Sequence, residues 1–275
     1  MAVTQLDKGN AFRALHQGPR AFIVANAWDA GSARILAGVG FSAVGTSSWA
    51  SANVYGRGDH AISREEVMVH CRAIAGATDI PASADLENGF GATPKEVAET
   101  YRQAAAAGLV GGSIEDTVHG PDKDALFDIG EATERVAAAV EATRKLGFPF
   151  LLTARADGFL HGHTNLDDAI RRLKAYEKAG ADVLMAPGLP DLNAVKAVCA
   201  AITKPFNFMV GIPGKSFPVA QLEAAGVRRI SLASSLYSAA MTGLIAAARE
   251  AKDKGTFGYV DSSVGCWDLD RYMLT

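Results

Sequence analysis

The residues best suited to chemistry in this sequence are acidic, and they fall in short clusters. One is Asp85-Leu86-Glu87-Asn88-Gly89-Phe90-Gly91, at the end of a β-type run, and a second is Ile114-Glu115-Asp116, at the end of another. Residues i and i+2 of a strand share a face, so Asp85 and Glu87 are expected to point into one interior. Asp59, in Gly56-Arg57-Gly58-Asp59, adds a further carboxylate. Carboxylates gathered in one cleft repel each other unless a cation stands among them. Oxygen donors without His or Cys favour Mg2+. The competing reading has these residues capping the helices that follow and binding water, and for Asp116 alone that reading is preferred.

Other residue types complete the set. Arg155, in Thr153-Ala154-Arg155-Ala156-Asp157, can neutralise the carboxylates or grip a substrate carboxylate through two hydrogen bonds. Gly45-Thr46-Ser47-Ser48 is a turn of small residues whose hydroxyls and N–H groups suit an anion. Asn207 offers an amide to a bound acid. His119 and Lys123 are the titratable groups of a Gly-, Pro- and Asp-rich stretch that reads as a lid and a source of general acid or base.

These residues need a scaffold that aims them at one place. Apolar β-type runs are expected at 21–26, 43–47, 81–87, 111–115, 149–155, 182–186, 206–210 and 229–233, each followed by a helical pattern. Several are continuously apolar, as strands buried in a parallel sheet are. Ser63-Arg64-Glu65-Glu66 and Thr93-Pro94-Lys95-Glu96 match capping boxes, and Gly40, Gly108, Gly147, Gly180 and Gly226 stand where helices should stop. Eight strand–helix units predict an α/β fold, a (β/α)8 TIM barrel, with a doubly wound open sheet as the alternative. In a barrel the strands' C-terminal ends carry the chemistry, and most of the residues above lie there. The chain reads as one domain over 1–275, with 256–275 a C-terminal helical tail outside the rhythm.

Composition narrows the class. The 275 residues are 49% hydrophobic and carry a net charge of −3, which disfavours nucleic-acid binding. Cys71, Cys199 and Cys266 form no C-x-x-C pair, and neither a secretory leader nor a long apolar span is evident. A cytoplasmic protein without membrane contact is expected.

Together these pieces resemble the isocitrate lyase/phosphoenolpyruvate mutase superfamily, from Asn26-Ala27-Trp28-Asp29 to Ser231-Leu232-Ala233-Ser234-Ser235. The ordered set Asp85-x-Glu87-x-Gly89-x-Gly91, Ile114-Glu115-Asp116 and Ala154-Arg155 carries the resemblance most specifically. It implies a barrel enzyme that binds Mg2+ and a 2-oxo or 2-hydroxy carboxylate and works through an enolate. By analogy Asp85 ligates the metal, while Glu87, Glu115 and Asp59 hold its waters. Ser47, Ser48 and Arg155 match positions that bind the carboxylate and oxo group, and Asn207 a position facing a distal carboxylate. The resemblance also implies a homo-oligomer, a tetramer or dimer with C-terminal helices exchanged between subunits.

The departures are specific. The superfamily usually has Asp where Glu87 stands, and many members have an aromatic residue at Gly45. The bond-cleaving lyases carry a Lys-(Lys/Arg)-Cys-Gly-His loop, whereas this stretch reads Asp116-Thr117-Val118-His119-Gly120-Pro121-Asp122-Lys123. Its lack of cysteine argues against isocitrate or methylisocitrate lyase activity, and the loop of the phosphonate enzymes is also missing. The expected activity is lysis or decarboxylation of a small oxo acid. Phosphonopyruvate hydrolase or mutase chemistry is one alternative, and a non-catalytic oxo-acid-binding protein is the other.

Remaining motifs carry less. Gly211-Ile212-Pro213-Gly214-Lys215-Ser216 lacks the glycine spacing of a phosphate loop, and His161-Gly162-His163 reads as a surface turn. The Ala-rich stretches 135–143 and 239–251 predict tightly packed helix faces, and Cys71 and Cys199 small core residues.

Overall fold

The computed structural model describes residues 3–120 and 125–273. Lys123 therefore lies outside the described residues. Eight strands run β1 (Phe22–Asn26), β2 (Val44–Gly45), β3 (Ala82–Asp85), β4 (Gly111–Glu115), β5 (Leu151–Arg155), β6 (Val183–Met185), β7 (Phe206–Met209) and β8 (Arg229–Ser231). Each pairs in parallel with its neighbours in chain order, and β8 closes on β1. The expected barrel is the fold, and all eight strands fall within the anticipated segments.

The helices are α1 (Gln5–Gln17), α2 (Ala30–Val39), α3 (Ser48–Val54), α4 (Arg64–Ala77), α5 (Pro94–Ala106) and α6 (Ile129–Arg144), then α7 (Leu166–Lys178), α8 (Leu192–Ala201), α9 (Val219–Ala224), α10 (Ser235–Arg249) and α11 (Cys266–Asp270). Their starts follow the local sequence. Ser63 and Thr93 accept from the backbone N–H groups of Glu66 and Glu96, and both glutamates reach back to complete their boxes. In α5 the buried residues are Val97, Thr100, Tyr101, Ala104 and Ala105, one helical stripe turned to the sheet. Gly40, Gly108, Gly180 and Gly226 adopt left-handed backbone after their helices, as expected. Gly147 does not, because α6 stops earlier, at Arg144.

The floor of the barrel is closed by α1. Phe12 is fully buried there, and a Cβ on Gly111 would lie 2.8 Å from its ring, so the small residue makes room for the aromatic. Cys71 is buried in the core as anticipated, whereas Cys199 is half-buried.

Two expectations are corrected. The stretch 239–251 does not present a packed face within the chain: α10 buries none of its residues, and Leu244 and Ile245 are exposed. Beyond it the chain forms a short 3-10 turn and α11, with Trp267 84% exposed, before Tyr272 returns against Gly38 of α2. The second correction concerns Glu87. β3 ends at Asp85, and Glu87 has φ +51°, so strand alternation does not place the two side chains together.

Candidate active site at the barrel mouth

The C-terminal ends of the strands surround a cavity of about 250 Å3. Ser47, Ser48, Asp59, Asp85, Arg155 and Asn207 all line it, so six anticipated residues converge. Glu87 and Glu115 stand behind this wall rather than on it. Their buried carboxylates connect to Asp85 through Arg155 and the loop after β3.

Arg155 organises the wall. Its Nε and Nη2 donate to the two oxygens of Asp157, at 3.1 and 2.5 Å, a bidentate pair that fixes the plane of the guanidinium. Nη1 then reaches Asp85 Oδ1 at 3.0 Å and Glu115 Oε2 at 3.1 Å. Burial opposes the charge on Arg155, but Asp157, Glu115 and Asp85 outweigh it and hold the group charged beyond its usual range. Burial likewise works against ionising Glu115. Arg155, His119 and Thr117 reverse that, and its pKa is pulled down to about 2.

Asp85 Oδ1 also accepts from Ser113 Oγ at 3.2 Å and from the backbone N–H of Glu87 at 3.3 Å. Its Oδ2 has one contact, the N–H of Ser48 at 3.4 Å. Glu87 Oε1 is buried and has no partner among the described residues. Burial raises the pKa of Glu87, partly offset by its hydrogen bond from His60. These carboxylate oxygens with one weak contact or none are what a small, hard cation requires.

The environment is not wholly oxygen, as the sequence had suggested. His60 Nδ1 lies 3.0 Å from Glu87 Oε2, and His119 bridges Glu87 Oε2 at 3.3 Å and Glu115 Oε1 at 2.9 Å. The two rings pack with centroids 4.1 Å apart. The hydrogen bond to Glu87 raises the pKa of His60 to about 9, so it is a cation at neutral pH. His60, Glu115 and His119 can bring donor atoms within 4.8 Å of one another. His119 thus sits behind the carboxylates with both nitrogens engaged, and it does not line the cavity. Asp59 stays at the rim, where burial raises its pKa.

For Asp116 the preferred reading is corrected: it lies off the cavity lining, but it does not cap the helix that follows, whose N-cap is Asp128. It points away from the cavity and accepts from the backbone of Asp157 at 2.8 Å, Tyr176 at 2.7 Å and Arg172 at 3.1 Å. It ties β4 to β5 and α7. Asn207 donates to Ser231 Oγ at 3.1 Å and lies near Met185 Sδ, while its Oδ1 has no partner among the described residues.

The profile of the phosphoenolpyruvate phosphomutase family matches residues 12–252. The chain belongs to that family. Its relatives include an oxaloacetate decarboxylase of Rhodopseudomonas palustris (strain BisA53), 31% identical over 82% of this chain and 78% of the relative. A crystal structure from Burkholderia cenocepacia J2315, described no more narrowly than as a lyase/mutase, is 46% identical. It covers 98% of this chain and 96% of its own, with a TM-score of 0.94. A 2,3-dimethylmalate lyase of the PEP mutase/isocitrate lyase superfamily is 25% identical, covering 96% and 94% at a TM-score of 0.86. The superfamily resemblance read from Asp85, Glu115 and Arg155 therefore holds, and this phosphoenolpyruvate phosphomutase family member is an enzyme of the lyase type.

His60, Asp157 and Arg229 escaped the sequence reading. His60 directly follows Asp59, so the same loop carried its signal. Asp157 stood inside a quoted motif without an assigned partner. Among the described residues no helix is long and apolar enough to cross a membrane.

Proposed function

We propose that this chain is a Mg2+-dependent lyase that breaks a carbon–carbon bond beside the carbonyl of a small 2-oxo or 2-hydroxy carboxylate, decarboxylation included. One observation carries the reading. Asp85, Arg155 and the Ser48 N–H meet at one cavity wall, with Asp85 Oδ2 scarcely engaged and Glu87 Oε1 unpartnered behind it. The residues present fit the ion: Asp85 would hold it, with Glu87, Glu115 and Asp59 on its waters. Bound there, Mg2+ would supply positive charge where an enolate oxygen develops.

The chain's own groups do the rest. Ser47 and Ser48 offer a hydroxyl and a backbone N–H to the substrate carboxylate. Arg155, clamped by Asp157, presents a guanidinium that needs no rearrangement as charge grows on the oxo oxygen, which favours the transition state over the ground state. His119 holds Glu87 and Glu115 in place, and Lys123 remains the loop's other candidate for proton transfer.

The uncovered side of α10 and the exposed Leu244, Ile245, Phe257 and Trp267 fit a face covered by a second copy, and a homo-oligomer is part of this reading. Sedimentation velocity on the purified chain tests it. A monomer at micromolar concentration refutes it.

The activity is tested by offering oxaloacetate, methylisocitrate and phosphonopyruvate with Mg2+ and then with excess chelator. Chelator-sensitive release of CO2 or a cleaved acid supports the lyase. Turnover of phosphonopyruvate alone would move the chain to phosphonate chemistry, and turnover indifferent to chelator would refute the metal assignment.

A further inference from the structure

The cavity does not end at the rim residues. It continues down the barrel axis to Thr153 and Arg229, and the latter opens β8 beside Phe22 and Asn207. Thr153 precedes Arg155 by two residues on β5, so it lies about 6–7 Å deeper along the strand. Ser83, Ser113 and Ser231 line the same space, with Met185 the larger apolar side chain beside Asn207.

Arg229 is a buried cation with little to balance it. Nη1 donates to Thr153 Oγ1 at 3.0 Å, the only hydrogen bond its guanidinium makes among the described residues. Nε is buried and unpartnered. Its guanidinium carbon also lies 5.5 Å from the centre of the Phe12 ring, near enough to His16 to act on its charge. Among the described residues it pairs with no carboxylate, whereas Arg155 pairs with three. Burial lowers its pKa only to about 10, so it stays charged at neutral pH. Asn207, its neighbour on β7, has an unpartnered Oδ1 in the same space.

Buried charges in folded proteins are normally paired, because removing an ion from water is costly. A cation left unpaired at the closed end of a substrate cavity is therefore completed by what enters the cavity. We propose that Arg229 is a specificity-determining residue that binds the distal carboxylate of the substrate, so that the site takes oxo diacids in preference to oxo monoacids. This rests on the reading of the rim as an oxo-acid site. The first carboxylate and the oxo group occupy the rim, and a second carboxylate on a four- or five-carbon chain extends toward Thr153, where Arg229 can meet it with two N–H groups.

The test is calorimetric binding to the full chain with Mg2+, using acids of matched length. 2-Oxoglutarate is compared with 2-oxopentanoate, and 3,3-difluorooxaloacetate with 2-oxobutanoate, with oxalate as a probe of the rim alone. The wild-type chain should bind at least one diacid tighter than its matched monoacid by about tenfold or more. In R229M that preference should fall to about twofold or less while oxalate affinity is retained, since Arg229 lies beyond oxalate's reach. Should R229M not fold, R229K keeps a charge on an arm without the two-pronged donor, and its preference should fall between these limits. No diacid preference in the wild type, or an undiminished one in the variants, overturns the assignment to Arg229. Failure of the wild type to bind oxalate with Mg2+ would instead overturn the reading of the rim itself.

Discussion

Replacing Arg135 by methionine should loosen the loop that carries the candidate metal site, although Arg135 touches none of its carboxylates. Arg135 lies on the buried side of α6 and is 2% exposed. Its Nη2 donates to the carbonyls of Asn88 at 2.8 Å and Gly91 at 2.7 Å, and Nη1 reaches Ala92 at 3.4 Å. The guanidinium also sits 4.3 Å above the Phe127 ring. The 88–92 segment begins immediately after Glu87, so this one cation holds the turn that places Glu87.

The magnitude follows from the contacts. Two short bonds from a charged donor are worth roughly 1.5–3 kcal/mol each, and the third is too long to count. The ring contact adds about 0.5–2 kcal/mol. Against this, methionine fills much of the same volume and removes the cost of burying a cation that forms no ion pair among the described residues, Glu131 and Glu96 acting on it only at longer range. A net loss of about 3–4 kcal/mol remains, which lowers the melting temperature by roughly 5–7 °C in a chain of this size. Urea denaturation followed by circular dichroism measures the first quantity and calorimetry the second. R135M should also weaken Mg2+-dependent oxalate binding, because the turn bearing Glu87 gains freedom. A variant within about 1 kcal/mol of wild type would show that the loop holds itself and that Arg135 is a passenger.

Other perturbations separate the roles assigned above. Asp85→Ala should reduce Mg2+-dependent oxalate affinity by about a hundredfold or more; unchanged affinity in titration calorimetry removes Asp85 from the metal site. Asp116→Asn turns an amide N–H toward Arg172 or Tyr176, both of which donate, and should cost about 3–5 kcal/mol in urea denaturation. A cost below about 1 kcal/mol would refute its role as a tie between strands. His16 is buried beside Phe12, and burial, with a smaller contribution from Arg229, lowers its pKa to about 3. The unfolded chain takes up this proton below pH 6.5 and the folded chain does not, so stability falls as pH drops from 6.5 toward 3. At 1.36 kcal/mol per pKa unit the loss is on the order of 4–5 kcal/mol, and His16→Leu should flatten that limb of the stability–pH curve. A Cβ on Gly91 would lie 2.5 Å from Glu96 Cβ and 2.9 Å from the Val97 nitrogen, so Gly91→Ala should shift the loop and lower the melting temperature by several degrees.

The barrel was legible because its signals are local and repeated. Val97, Thr100, Tyr101, Ala104 and Ala105 have helical spacing in the sequence itself, and the boxes at Ser63 and Thr93 fix where two helices start. Asp85, Glu115 and Arg155 follow from one geometric rule, that a barrel's chemistry sits where its strands end, whereas Asn207, second in β7, was legible only as an amide. The same rule hid Arg229. It opens its strand instead of closing it, and only the depth of the cavity connects it to the rim. His60 was hidden differently: it sits in a loop without a period, at φ +60°, and reaches Glu87 across 27 residues of sequence. Glu87 was placed in the right neighbourhood for the wrong reason, since its backbone leaves the strand and its carboxylate meets His60 and His119 behind the wall.

That departure belongs to a wider pattern. Left-handed backbone is unfavourable for residues with a Cβ, and it persists where surrounding contacts impose it. Among the described residues four other than glycine adopt it: His60, Glu87, Phe90 and Ala233. His60 follows β2, Glu87 and Phe90 follow β3, and Ala233 follows β8, so all four stand in loops on the mouth side of the barrel. Loops on the opposite face, between helix and strand, make their turns with glycine, as Gly40, Gly108, Gly180 and Gly226 do. Mouth-side loops use left-handed glycine too, at Gly56, Gly89, Gly162, Gly188 and Gly211, but among the described residues only they also hold residues with a Cβ in that conformation. The mouth keeps His60 and Glu87 in strained conformations, and their side chains contact each other at 3.0 Å. Strain is therefore tolerated on the face where the carboxylates converge, which ties the backbone itself to the location of the chemistry.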